Sequence, residues 1–246
     1  MPRGHDEKAV VQTRLTAGSL KPNRLSPLEP QVQERWSATP QAGDVPPSPN
    51  PSMPSCPTPR GRLRALRRSL PPAVQRQHAR DLARHLGRSP RLRRARRVAL
   101  YWPSDGELDP RLLLKLVPRK QWHLPVLCRF PHRSLMFVRW RPGERLRPNR
   151  FAIPEPTRRG RRIHSAGDLD LVLMPVVGFD ADGNRLGMGC GYYDRTLSRL
   201  RQRQAWHRPR LIGLAHSCQR VAQIQPNPWD VRLDAIATEA GIIGKL

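Results

Sequence analysis

From residue 60 onward, apolar residues recur first at helical and then at strand-like spacing. Leu63, Leu66 and Leu70 lie three and four positions apart among arginines and predict an opening helix. Ser69 followed by Pro71 and Pro72 predicts the cap and first turn of a second helix, with Val74, Ala79, Leu82, Ala83 and Leu86 on its apolar side. Beyond it the period shortens. Arg97–Trp102 predicts a strand stopped by Pro103-Ser104-Asp105-Gly106, Asp109–Val117 a short helix, and Trp122–Cys128 and Leu135–Trp140 two more strands. Asp170–Val177 is almost continuously apolar, the pattern of a strand covered on both faces. A helix over about Tyr192–Arg201, a strand over Leu211–Ala215 and a final strand over Ala235–Thr238 complete the alternation. The expected fold class is therefore α/β, a three-layer α/β/α arrangement around a mostly parallel or mixed central sheet.

Residues 1–59 show neither period. They hold 12 of the 28 prolines, which predicts a disordered Pro-rich tail ahead of a single α/β domain over residues 60–246, with Met53 as an alternative start. The opening Met1-Pro2-Arg3-Gly4 has no apolar signal-peptide region. No apolar run reaches the roughly 20 residues that span a bilayer, since even Leu169–Phe179 is broken by Asp170. Cys56, Cys128, Cys190 and Cys218 are widely spaced with no C-x-x-C pair, so neither a zinc knuckle nor a disulfide framework is expected. A cytoplasmic protein without a membrane partner follows.

The charge changes this picture less than its size suggests. There are 45 Lys+Arg against 19 Asp+Glu, a formal +26, and the tail accounts for only +1 of it. Five lysines leave 40 of the 45 as arginine, a bias that genome base composition can produce without a polyanionic partner. Between residues 60 and 97 there are 14 arginines and one acid, Asp81, and a solvated helix face explains most of them. The alternative class is an Arg-rich RNA-binding protein using these helices and Arg158-Arg159-Gly160-Arg161-Arg162. No RNP-like aromatic strand, KH loop or zinc knuckle accompanies them, so no specific nucleic acid is expected.

The densest candidate chemistry runs from Gly178 to Arg195. Asp182-Gly183-Asn184 predicts a tight turn, and Gly187, Gly189 and Gly191 alternate just before a helix. Backbone N–H groups there can converge on an anion with no Cβ atoms in the way. The spacing is neither G-x-G-x-x-G nor G-x-x-x-x-G-K-[ST], so glycines alone leave a plain loop and a phosphate cradle equally open.

Arg185-Leu186-Gly187-Met188-Gly189-Cys190-Gly191-Tyr192-Tyr193-Asp194-Arg195, behind a buried strand and Gly178-Phe179-Asp180, resembles the ATP-binding signature of the 5-formyltetrahydrofolate cyclo-ligase family. Arg60-Gly61-Arg62-Leu63-Arg64 resembles the family's N-terminal basic element, and Tyr101 to Glu107 its strand and acidic loop. Phe151 to Pro156 is similar to the aromatic-x-Ile-Pro-x-Pro segment, and Pro228 to Asp234 with Thr238-Glu239 to the C-terminal end. The resemblance covers about residues 60–243, with all elements in order.

It implies ATP- and Mg²⁺-dependent cyclisation of 5-formyltetrahydrofolate, with or without a polyglutamate tail, to 5,10-methenyltetrahydrofolate, with release of ADP and phosphate by a monomer. By position it implies that Arg60 and Arg64 bind ATP phosphates and that Arg185, Leu186, Gly187, Met188, Gly189, Cys190, Gly191, Tyr192 and Tyr193 wrap the nucleotide. Asp194 and Asp230 would hold Mg²⁺, with Arg185 and Asp194 catalytic. Trp102, Glu107, Phe151, Met188 and Tyr192 would line the folate pocket, Glu107 accepting from the pterin edge. On the residues alone, Asp194 reads more readily as a helix cap and Trp102 as core; the resemblance reverses that. Two positions depart from the pattern: Arg60 stands where many relatives have Lys, and Cys190 where some have a loop Lys. Arg185 or another arginine would then compensate, and Cys190, with no visible general base, reads as a small packing residue.

Overall fold

The computed structural model describes residues 58–128, 134–198 and 209–244. Contacts divide the chain into units 1–53 and 54–246. The first unit, and with it the expected Pro-rich tail through residue 57, lies outside the described residues.

Helix α1 (Pro59–Arg68) begins on Thr58, whose hydroxyl accepts the Gly61 N–H at 3.2 Å, with Pro59 filling a first-turn position that needs no donor. Its packing differs from the expectation. Leu66 is 42% exposed, and the side chain that the helix buries is Arg67, at 1%. A charge can replace a leucine there because carboxylates and carbonyls meet it, as described below. Ser69 ends α1 and does not cap its successor; Pro71 stands at the N-cap of α2 (Pro72–Arg88). Along α2, Ala79, Leu82, Ala83 and Leu86 are buried as their spacing predicts. Helices α3 (Pro90–Arg94) and α4 (Leu112–Leu116) are single turns, α4 shorter than Asp109–Val117.

The main sheet has eight strands among the described residues. Its centre is parallel: β2 (Gln121–Leu127), β1 (Arg97–Ala99), β7 (Leu171–Pro175), β10 (Arg210–Leu214) and β11 (Ala235–Thr238). Strand β3 (Leu135–Arg139) adds antiparallel to β2 and pairs in turn with β6 (Ile163–His164). Strand β11 is not the last, because β12 (Gly241–Gly244) returns antiparallel to it after a short turn. Small hairpins β4 (Leu146–Pro148) with β5 (Pro154–Pro156), and β8 (Gly178–Phe179) with β9 (Arg185–Leu186), lie outside the sheet. Alternate residues of the central strands feed two cores. Leu171, Leu173, Ile212 and Leu214 face α2, α3 and α4, while Val172, Met174, Leu211 and Ile236 face Phe179, Val231, Leu233 and Leu197 of α5 (Tyr192–Leu197). These are the expected three layers. The predicted continuation of α5 to Arg201 runs into residues outside those described.

Candidate functional site

Strands β1 and β7 are parallel neighbours, but the chain leaves β1 toward β2 on one side and β7 toward β10 on the other. That reversal opens a crevice beyond the carboxyl ends of the two strands, where open α/β sheets bind ligands. The loop after β1 carries Trp102, Asp105 and Glu107. The segment after β7 carries the glycine run.

Arg67 of α1 joins the two. Its Nε donates to the Asp105 carbonyl and its Nη2 to the Asp105 carboxylate, both at 2.8 Å. Nη1 reaches the Val176 carbonyl at the end of β7 at 3.4 Å, and Nη2 lies 3.6 Å from Glu107 and 3.8 Å from Met188 Sδ. Arg64, one turn earlier, donates to the same Asp105 oxygen at 2.8 Å. The turn is tight: Asp105 and Gly106 have φ of 51° and 72°, and a Cβ on Gly106 would stand 3.0 Å from the Arg67 carbonyl. Burial pulls the Asp105 carboxyl up, but Arg64 and Arg67 outweigh it and hold it below the usual range. For Glu107, 8% exposed, burial wins over Arg67 and raises it. Its other oxygen accepts the Ser104 N–H at 3.1 Å.

The β8–β9 hairpin turns at Gly183 and is held by Asp180, whose carboxylate accepts from Asp182, Asn184 and Ile224. A Cβ on Gly178 would stand 2.6 Å from Leu63 Cδ1, so glycine there lets α1 settle against the hairpin. Past β9 the loop is open. Among the described residues, and apart from each glycine's chain neighbours, no atom comes within 4 Å of where a Cβ on Gly187 or Gly189 would be. Arg60 donates to the Gly187 carbonyl at 3.1 Å, and Arg195 to the Cys190 carbonyl at 2.6 Å. Arg185 is nearly buried, with its two outer nitrogens on Asp194 and the Val231 carbonyl. That fork draws Asp194 toward the segment of Asp230, which accepts from the Asn227 N–H at 2.8 Å. Tyr193 packs on the second core; burial, then Glu107, pushes its hydroxyl up.

The aromatic residues fall into two groups. Phe151 and Tyr192 meet edge to face at 6.2 Å, with Arg150 over both rings. Trp102 stands edge-on to Trp140 at 6.0 Å, in a cleft of about 350 Å³ walled by Leu146, Pro148 and Pro154. The β4–β5 hairpin links the groups, with Phe151 in its loop and the cleft wall on its two strands. A larger cleft of about 510 Å³, lined by Arg96, Arg97, Arg139, Arg161 and His164, lies at the opposite strand ends and holds none of the expected site residues.

Arg60, Arg185, Asp194 and the glycines are thus brought together, Arg64 joins them through Asp105 and Arg67, and Trp102 stands apart. Sequence reasoning missed Arg67, Arg150, Arg195 and Trp140. Arg67 carried no signal among 40 arginines; Arg195 closes the signature-like stretch but was given no role of its own, and Trp140 closes a predicted strand and read as structural.

Fold and site define a doubly wound α/β protein whose crevice offers a bare glycine loop, an arginine-rich rim and adjoining aromatic walls. The chain belongs to the 5-formyltetrahydrofolate cyclo-ligase family, whose model matches residues 53–239. The 5-formyltetrahydrofolate cyclo-ligases of Haemophilus influenzae and Escherichia coli strain K12 are each 35% identical to it, across 71% and 73% of this chain and 92% and 98% of theirs. The NMR structure of Aquifex aeolicus 5,10-methenyltetrahydrofolate synthetase matches with a TM-score of 0.63 and 28% identity, covering 75% of this chain and 89% of that one.

Proposed function

We propose that this chain closes 5-formyltetrahydrofolate to 5,10-methenyltetrahydrofolate at the expense of ATP, as a cytoplasmic monomer acting on small molecules. Support comes above all from the open Cα faces of Gly187 and Gly189 beside Arg60, which let a phosphate approach the loop backbone closely. In this chemistry the formyl oxygen attacks the γ-phosphorus and ADP departs. N10 then attacks the activated carbon, its proton leaves, and the former formyl oxygen departs within phosphate. No covalent enzyme intermediate is needed, so the protein's task is alignment and charge neutralisation.

Arg60 and the loop N–H groups would hold the triphosphate, with Arg64 and Arg195 adding positive charge at the rim. Asp194 and Asp230 offer hard carboxylate oxygens, the donor type Mg²⁺ takes, and would hold the ion whose charge offsets that of the phosphates. Arg185 would keep Asp194 oriented. Met188, Tyr192 and Phe151 would pack the folate rings, and Trp102 the far wall through the shared hairpin. Glu107, lifted by burial, would meet the pterin edge.

The test is direct. Protein mixed with 5-formyltetrahydrofolate, Mg²⁺ and ATP should develop the methenyl chromophore with one ADP per turnover. Absence of both products from folded protein would refute the reading.

A further inference from the structure

His78, His216 and Glu239 take no part in the chemistry above, yet three separate elements bring them together. His78 lies on α2, His216 follows β10, and Glu239 follows β11. The two Nδ1 atoms are 2.9 Å apart, and Glu239 Oε1 is 3.7 Å from His78 Nδ1. One donor atom from each residue falls within 4.8 Å of the others.

The neighbours fix which atoms point inward. His216 Nε2 faces the Gly106 carbonyl at 3.2 Å, an acceptor only, so that nitrogen carries the hydrogen and Nδ1 presents a lone pair. His216 is fully buried, while His78 and Glu239 keep 20% and 12% of their side chains exposed. The Glu239 carboxylate is aimed by the Ser217 N–H, at 3.1 and 3.0 Å, and by the Ser217 hydroxyl. A tetrahedral ion with bonds of about 2.0–2.1 Å sets its donors about 3.3 Å apart, and the observed 2.9 and 3.7 Å straddle that spacing.

We propose that His78, His216 and Glu239 form a binding site for one zinc-class divalent ion, with a fourth position open beside His78. On binding, the His78 hydrogen moves from Nδ1 to Nε2, and both Nδ1 lone pairs and a Glu239 oxygen bond the ion. The His216–Gly106 contact becomes the outer support that orients a ligating imidazole. Two imidazoles favour zinc, cobalt or nickel over magnesium. The ion would tie α2 and the ends of β10 and β11 to the Gly106 turn, so occupancy should show as stability.

Tag-free full-length protein, stripped with chelator, is titrated with Co²⁺ and then Zn²⁺. One equivalent of Co²⁺ should give the visible bands of a four-coordinate ion, Zn²⁺ should displace it, millimolar Mg²⁺ should not, and Tm should rise. His78→Ala and Glu239→Gln should each weaken binding by about tenfold or more. No stoichiometric binding to the folded wild type, or binding that both variants leave unchanged, overturns the site. If either variant fails to fold, as seen by circular dichroism, the other and the wild-type spectrum decide.

Discussion

Arg67 holds Asp105 at two points, the main-chain carbonyl and the carboxylate, each at 2.8 Å. The pairing places a buried cation where α1, the turn after β1 and the end of β7 converge, and the remaining reach of the guanidinium touches Glu107 and Met188. The crevice therefore has a charged keystone, and its arginine belongs to the fold as much as to the site.

Arg67→Met should destabilise the protein by about 3 kcal/mol, because it keeps the volume but removes the cation facing the buried Glu107 and leaves Asp105 to the more exposed Arg64 and Arg68. Urea unfolding measures it. Adding Glu107→Gln should recover part of the loss, since burial already disfavours that charge. Wild-type stability in the single variant would show that the carboxylates do not need the cation.

Asp180 gives a pH signature. Burial alone would raise its carboxyl, but the hydrogen bonds from Asn184, Ile224 and Asp182 outweigh burial and hold it below its ordinary 3.8. A depressed folded value means stability that is present above pH 3.8 and lost as pH falls through the folded value. Asp180→Asn should cost about 2 kcal/mol at pH 7, where an amide cannot accept from that many donors. The cost should shrink in acid. A difference as large at pH 3 as at pH 7 would sink the linkage.

Gly187→Ala separates cradle from scaffold. Gly187 has ordinary backbone geometry and open space at its Cβ position, so Tm should stay within about 1 °C of wild type. The methyl would occupy the space reserved for phosphate, and the KM for ATP should rise about tenfold or more with the folate KM little changed. An unchanged KM for ATP would remove this face of the loop from the nucleotide.

The strands were legible because apolar alternation and the Asp170–Val177 run respond to burial, and burial is what a sheet enforces. Glycine positions gave the loop for the same kind of reason, as steric facts written in residue type. What stayed hidden depends on partners distant in sequence. Arg67 looks like its neighbours Arg64 and Arg68 until Asp105 and Glu107 fold against it. Leu66, which periodicity assigns to the core side, is left exposed by that arrangement. Strand β12 escaped notice because Gly241-Ile242-Ile243-Gly244 is too short to show a period, and β11 supplies its register.

Asp194→Asn tests the metal role. Arg185 binds one carboxylate oxygen, and an amide oxygen can keep that contact, so the fold should survive. Turnover should fall severely, with more Mg²⁺ needed for half-maximal rate. A drop in stability with normal turnover would make Asp194 a structural partner of Arg185 and of the first turn of α5 only; Gly191, not Asp194, stands at the N-cap.

Cys190 and Arg195 should be read together. The thiol is exposed, and its own carbonyl receives the Arg195 guanidinium, which also lies over the Tyr192 ring at 5.4 Å. A cation thus stands at the loop although position 190 supplies none. Arg195→Gln should weaken ATP binding about tenfold, the scale of one charge-assisted contact, with folate binding less affected. Cys190→Lys should restore most of that loss in the Arg195→Gln background and add little to the wild type, because the two cations serve the same phosphates. Cys190→Ala should be nearly silent, since phosphorylation of the formyl oxygen already creates the leaving group a thiol would otherwise supply. A loss beyond about a hundredfold in turnover, in a folded Cys190→Ala protein, would exceed the roughly 2.7 kcal/mol that loop repacking explains and would make the thiol a nucleophile.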